Sequence, residues 1–327
     1  MLRELLFNFH NTNLKSTFAY ICLKLRIPLR TFNNNKKQNY KILIVGCGTH
    51  AISTIIPIIL KKNSIYKIFV RKSENYSLIK KIYNIDITDD FNSFTKNLTS
   101  NDKVFILSSP ENHLEYLKFF VKLDCYIFLE KPLVINSQQL NDLKNMNKKF
   151  EFSKVLIGYN RNYSPAFYYL KSIINADKSI KEISYRINFG PKNKQYQNRT
   201  IEHVCHYLSF IISLINSEIE DYSSHITNEG NSSIISGKFQ NKSIFSIIFT
   251  SEGKRDYETK ENISISFNGN NLNIKNFKKV TNNKRHITFN RDIFGYNMII
   301  NSFLNEDLIF EFRNNITVSD ITINASN

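Results

Sequence analysis

No run of eighteen or more apolar residues occurs in the 327-residue chain, because lysine, asparagine or serine breaks every candidate. Nothing in it therefore reads as a membrane span. Cysteine is scarce as well: Cys22, Cys47, Cys125 and Cys205 are scattered without CxxC spacing, which excludes a disulfide framework and a zinc ribbon. Cys205 and His206 are metal-ligand types, but two adjacent residues without further partners make a poor site, so no metal is expected. No signal peptide with an apolar core and a small-residue cleavage site opens the chain, and with the unpaired cysteines this points to a reducing, cytoplasmic setting. Internal repeats are absent too.

Acidic residues are outnumbered, 28 against 44 Lys and Arg, for a net charge of +16. The positive charge is dispersed and forms no basic stretch interleaved with aromatics and no helix-turn-helix, so nucleic acid is not an expected partner. Solvated lysine-rich faces account for most of the charge, and an anionic cofactor or substrate is a secondary reason for it. At 42% hydrophobic residues the chain can bury a large core, and its length suits two domains.

Residues 1–39 stand apart as a basic extension and linker, with Leu2, Leu5, Leu6 and Phe9 at helical spacing and a polar run from Asn33 to Asn39. A packed extension, a surface-docked amphipathic helix and a targeting peptide all remain open for it. From Tyr40 short apolar runs alternate with helix-length segments, the pattern of a doubly wound parallel sheet over residues 40–152. The strands fall at Lys41–Val45, Lys67–Val70, Asp86–Thr88, Val104–Leu107 and Tyr126–Leu129. Helical faces fall at Ile52–Leu60, Glu111–Leu123 and Ser137–Lys149. Lys154–Gly158 reads as a sixth strand, and a second, α+β domain is assigned to residues 153–327. There, helices at Pro165–Ile174 and Ile201–Ile215 flank a strand at Ile183–Phe189. Period-two segments at Ile234–Phe239, Ile244–Phe249, Ile263–Phe267, Leu272–Ile274 and Ile287–Phe289 then predict a large, mostly antiparallel sheet with one open face.

The first strand runs into Gly46-Cys47-Gly48-Thr49-His50-Ala51 and then into a helix. This is the GxGxxA form of the dinucleotide fingerprint in its proper strand-to-helix context. One glycine makes the turn, the next lets the backbone approach a pyrophosphate, and alanine lets helix and strand pack closely. The amides at that helix start face the phosphates. The usual acidic residue after the second strand is missing, and Arg71-Lys72-Ser73 stands there instead. Two cations and a hydroxyl suit a 2′-phosphate, so NADP is favoured over NAD, although Glu74 takes the ribose if the turn is shorter.

Three more segments follow strand ends: Ser108-Ser109-Pro110-Glu111-Asn112-His113, Glu130-Lys131-Pro132, and Gly158 to Pro165 with Tyr159 and Arg161. With the glycine turn, their order and spacing resemble the Gfo/Idh/MocA oxidoreductases, the family of glucose-fructose oxidoreductase and inositol dehydrogenase. The resemblance covers about Tyr40 to Ile215. It implies that Ser108, Ser109, Pro110 and Glu130 line the cofactor and that Lys131 sits beside the nicotinamide and the reacting carbinol. His113, which begins a helix, is placed near the cofactor, with capping or packing as the alternative. It implies a catalytic acid and histidine four residues apart on a helix, matched by Glu202 and His206, with His203 as the competing histidine. Tyr159 and Arg161 become substrate contacts, with an ion pair as the alternative for Arg161. Hydride transfer from an alcohol leaves a hydroxyl proton to be removed, so a lysine cation and a histidine relay are the needed parts.

The chain departs from the family pattern where Glu202 replaces a common Asp, where Ser209 replaces an Asp that often follows the histidine, and where glycines before that helix are missing. Two functions follow. One is an NAD(P)-dependent oxidoreductase acting on a sugar, nucleotide-sugar or polyol. The other is a catalytically idle dinucleotide-binding protein of the same fold. The second sheet is expected to pair subunits into a homodimer or homotetramer.

Overall fold

The computed structural model describes residues 37–71, 79–80, 83–177, 180–188, 199–227, 232–250, 260–267, 269–282, 285–308 and 312–325. The predicted features before residue 37 and the residues Lys72, Ser73 and Glu74 lie outside these ranges. Strands β1 to β6 are Ile42–Val45, Lys67–Phe69, Asp86–Thr88, Lys103–Ile106, Tyr126–Leu129 and Val155–Ile157. Strands β7 to β14 are Ile180–Asn188, Ile219–Ile226, Ser232–Phe239, Ile244–Thr250, Lys260–Phe267, Asn270–Lys275, Lys279–Asn282 and Arg285–Thr288. Among the described residues the α-helices are α1 (Ile56–Ile59), α2 (Phe91–Thr95), α3 (His113–Lys122), α4 (Ser137–Asn147), α5 (Pro165–Asp177), α6 (Arg199–Ile215), α7 (Tyr296–Leu304) and α8 (Phe312–Asn324).

The chain divides into two compact units. The first takes the residues up to Val134, Asn141–Gly158 and Tyr296–Phe312. Its sheet has the order β3-β2-β1-β4-β5-β6 and every described pairing in it is parallel. All four residues of β1 are buried, as are those of β4, which is why these strands read as continuous apolar runs rather than alternating ones. Between β1 and α1 the chain passes through a π-helical turn at Ala51–Ile55, all of it buried.

Two assignments are corrected here. The sixth strand does not open the second domain: Val155, Leu156 and Ile157 pair with β5, extending the parallel sheet to its edge. The chain also returns to this unit far downstream, because Phe303 of α7 packs edge-on against Phe105 and Phe128 at 5.0 and 5.7 Å and covers a face of the sheet. Lys103 secures the return from the other end. Its ammonium, fully buried, sits 2.6 Å from Glu306 and over the rings of Tyr40 and Tyr126, and the Tyr126 hydroxyl donates to the same carboxylate.

The second unit, Ile135–Leu140, Tyr159–Gly295 and Arg313–Asn327, is built on an eight-stranded sheet of order β14-β13-β12-β11-β7-β10-β9-β8. It is antiparallel except where β7 and β10 run parallel. The helix α6 packs on β7 and β10. Tyr207 and Phe210 on that helix lie against Tyr185, at 4.6 and 5.8 Å between ring centroids. Along β10, and along β7 from Ile183 onward, every second residue is buried, so one face is core and the other open, as the period-two pattern predicts.

Strands β8 and β13 and helices α7 and α8 escaped the pattern. The sequence of β8, IEDYSSHI, has apolar ends only, and its residues are exposed or half-buried throughout. The helix α8 is dense in β-branched residues that favour strands in isolation. Its Thr322 and Ser319 hydroxyls bond back to the carbonyls four residues earlier, at 2.6 and 2.8 Å.

Candidate active site

Gly46 is the fixed point of the first unit. Its φ of +87° is one that L side chains rarely adopt, and a Cβ there would lie 2.6 Å from the Ser108 Cα and 2.8 Å from the Leu107 carbonyl oxygen. The bend is therefore locked against the end of β4, and its amide donates to the Phe69 carbonyl at 2.8 Å. Gly48 is the opposite case. A Cβ at Gly48 meets nothing within 4 Å, and the exposed stretch continues through Thr49 and His50. Backbone locked at one glycine and bare at the next is what the approach of a diphosphate requires, so these residues fit a dinucleotide. Ala51 closes the turn, 2% exposed. Cys47 is half-buried, and burial pushes its thiol up to about 12, which keeps it protonated.

Next to this bend stands Glu130, at the end of β5. Its carboxylate lies 3.5 Å from the His50 ring, and a Cβ on Gly158 would come within 3.3 Å of it, so that glycine makes room for the acid. Burial works to raise its pKa, but the hydrogen bond from His50 and the charges of His50, Lys131 and His113 outweigh it. Glu130 is thus held below the ordinary carboxylate value and carries its charge. His50 also packs against Tyr296, 5.2 Å between centroids, a neighbour supplied by the returning α7. Lys131, half-buried, is joined to Pro132 by a cis peptide bond.

Ser108, Ser109 and Pro110 follow β4 and lead through a short 3-10 turn into α3, as the sequence places them. His113 is packed between the Ser108 and Pro132 segments. It is 1% exposed, and its ring nitrogens face two main-chain carbonyls: Pro132 at 2.7 Å from Nδ1 and Ser108 at 3.0 Å from Nε2. Burial holds it below the usual histidine value, against the opposing pull of those carbonyls and of Glu130 and Glu111. At the other edge Arg71, half-exposed, donates to Asn112 and Glu115, both at 2.8 Å, and lies over the Tyr116 ring.

The second unit holds the remaining candidates. Glu202 and His206 lie one turn apart on α6; Glu202 is half-buried and His206 is 4% exposed, its ring edge-on to Tyr159 at 6.0 Å. His203 is half-buried and stacks on Phe249. Tyr159 is buried, and its hydroxyl makes no hydrogen bond among the described residues. Burial raises that hydroxyl well above the ordinary tyrosine value.

Arg161 forms the ion pair expected as its alternative, but buried rather than at the surface. Nε and one terminal nitrogen grip the fully buried Glu261 carboxylate at 3.0 and 2.5 Å, and Tyr207, Phe277 and Phe294 surround the cation. Glu261 also accepts from the Tyr185 hydroxyl at 2.5 Å. Sequence reading missed Glu261 and Tyr296, because each matters only through a partner far along the chain.

Among the described residues no group of three or more His, Cys, Asp and Glu is arranged to hold a metal, and no helix is long and apolar enough to cross a membrane. Compared with known proteins, residues 40–157 match the oxidoreductase family with an NAD-binding Rossmann fold, Gfo/Idh/MocA. A curated relative, Oxidoreductase P35 of Formosa agariphila, is 26% identical over 165 residues, 48% of each chain, so the chain spans about half the length of that relative. Two solved structures share the fold over most of both chains. A dehydrogenase (MviM) from Clostridium difficile is 19% identical, covering 87% of this chain and 98% of its own, with a TM-score of 0.69. A myo-inositol dehydrogenase from Corynebacterium glutamicum is 13% identical, covering 88% and 96%, with a TM-score of 0.72. The glycine bend, the strand order around it and the match over residues 40–157 together make this dinucleotide-binding part similar to that of the Gfo/Idh/MocA oxidoreductases.

Proposed function

We propose that the chain is a dehydrogenase or reductase that moves a hydride between a nicotinamide and a hydroxyl or keto carbon of a sugar, nucleotide-sugar or polyol. The observation that carries this reading is the pairing of Gly46, locked beneath Ser108, with the bare backbone at Gly48, next to the loop that bears Glu130 and Lys131. The cofactor, when bound, supplies the hydride acceptor or donor. The chain's own residues do the rest. Amides after Gly46 bind the diphosphate. Lys131, beside the charged Glu130, provides a cation where alkoxide charge develops. His206, with Glu202 on the same helix face, carries the hydroxyl proton.

We assign NADP as the preferred dinucleotide. The ion pair of Arg71 with Glu115 is exposed, an interaction worth about 0–1 kcal/mol that a 2′-phosphate can replace. Fluorescence titration with NADPH and NADH tests this: Arg71→Ala should weaken NADPH roughly tenfold and NADH little. Turnover on a sugar and polyol panel, repeated with Lys131→Ala and His206→Ala, tests the chemistry. Unchanged rates in both variants overturn the site, and wild-type binding without any turnover favours the idle reading. One observation supports that second reading: Ser209, where the family often has Asp, is engaged by the Asn162 amide at 2.8 Å.

For the partner, our reading is a second copy of this chain on the open face of the second sheet. Three rows cross that face in register. The central one runs Ser223, Ser236, Ser246, Ser184, Ser264 and Asn273. On one side lie His225, Ile234, Ile248, Arg186, Asn262 and Lys275, and on the other Asp221, Lys238, Ile244, Glu182, Ser266 and Asn271. A two-fold axis along the serine row sets Arg186 of one copy over Glu182 of the other, His225 over Asp221 and Ile248 over Ile244. An axis along β7 instead sets Arg186 on Arg186 and Glu182 on Glu182, so charge complementarity favours the first arrangement. Ile234 and Ile244, 46% and 49% exposed, supply the apolar contact.

A further inference from the structure

The last ladder bond between the ends of β4 and β5 runs from the Glu130 amide to the Ile106 carbonyl, at 3.0 Å. Just past it, the two segments that carry the candidate site leave the sheet. One begins at Ser108, the other contains Lys131. A single buried side chain, His113, reaches both, with Nδ1 at 2.7 Å from the Pro132 carbonyl and Nε2 at 3.0 Å from the Ser108 carbonyl. Ser108 is in turn the backbone against which Gly46 is locked. A continuous path therefore runs from the glycine bend through Ser108 and the imidazole to Pro132, the residue after Lys131.

We propose that His113 is a positioning residue for hydride transfer, a buried staple that sets Lys131 at a fixed separation from the glycine bend. The inference rests on the dehydrogenase reading above. Both of its partners are acceptors, so the ring acts as donor. A neutral imidazole has one N–H, so the ring donates to one carbonyl only; our assignment puts that proton on Nδ1, toward Pro132 at 2.7 Å and nearer Lys131, while Nε2 packs against the Ser108 carbonyl. The diphosphate grip is independent of this link, because Gly46 is held by its own bond to Phe69. Losing the staple should thus disturb the chemical step far more than dinucleotide affinity. A shift of an ångström at a reacting group costs up to about 100-fold in rate.

Asparagine places an amide N–H near the Nδ1 position and glutamine near Nε2, so His113→Asn keeps the Pro132 bond, His113→Gln keeps the Ser108 contact, and His113→Leu keeps neither. The test compares the three with wild type in NADPH affinity, kcat, KM and amide hydrogen exchange of the 130–134 segment without ligand. Leu should lower kcat at least tenfold with NADPH Kd within about threefold, and should speed exchange in that segment. Asn should restore both kcat and exchange, and Gln should not. Where Leu fails to fold, the Asn and Gln pair decides. Wild-type kcat and exchange in Leu, or Gln equal to or better than Asn, overturns the staple. Absence of NADPH binding or turnover in wild type overturns the dehydrogenase reading instead, and the exchange rates then judge the staple alone.

Discussion

The two sheets of this molecule solve burial in opposite ways. In the first, β1 and β4 are buried at every residue, and the polar work is done by loops at the strand ends. In the second, alternate residues face outward, and the polar groups lie on the sheet itself, where Ser223 bonds Ser236 at 3.2 Å and Ser246 bonds Ser184 at 3.1 Å. A sheet covered on both faces is suited to presenting its ends, and a sheet open on one face is suited to presenting an area. Unit one thus reads as a place for a small molecule and unit two as a place for a surface.

The contrast is broken most strongly inside the second unit. Although its outer face is polar, its core contains the Arg161–Glu261 pair, whose carboxylate is fully buried. Burial alone disfavours the guanidinium charge, and the Glu261 carboxylate more than offsets that, keeping the arginine well above its usual value. Glu261→Ala leaves the cation alone in an aromatic box and should cost about 3–5 kcal/mol in urea unfolding. Glu220→Ala, which removes an exposed carboxylate paired with Lys238 and Lys242, should leave the urea midpoint where it was. Equal effects would mean that the buried pair is no more than a surface one.

The open face gives the next test. Arg186→Glu should abolish the dimer in sedimentation equilibrium, and adding Glu182→Arg should restore it, because the two-fold arrangement pairs these positions with each other. A monomeric wild type, or a double variant no better than the single one, excludes that axis.

The smallest effect belongs to the first unit. Glu306 is held below the ordinary value of 4.5, chiefly by the hydrogen bond from Lys103, then by that from Tyr126. A carboxylate depressed in the folded state stabilises above its unfolded pKa and loses that contribution as pH falls through the folded value. The melting temperatures of wild type and Glu306→Gln should therefore differ at neutral pH and converge below about pH 4. Parallel curves down to acid would remove Glu306 from the account.

What could be read from the sequence follows the same division. Strands of the covered sheet are continuous apolar runs, and their positions fall within a residue of those observed. The glycine turn was legible because its requirement is local: backbone conformation at Gly46 and open space at Gly48 are written in two glycines one residue apart. Glu261 lies 100 residues from Arg161, and a charge looks the same in sequence whether it will be solvated or enclosed. For His113 the sequence leaves a place near the cofactor and a packed role both open, because the two carbonyls that hold it carry no residue identity at all. The helix α8 was hidden by its own β-branched residues, whose local preference tertiary packing overrides.

The return of Tyr296–Phe312 to the first unit also bears on how the polypeptide is made. Domains generally fold in the order in which they emerge from the ribosome. Here the N-terminal sheet emerges early but must wait for Phe303 and Glu306, so its β4 and β5 leave the exit tunnel without their covering helix and without an anion for Lys103. A translation product that stops before residue 296 would carry the whole nucleotide fingerprint on a sheet whose Phe105 and Phe128 lack the cover of Phe303.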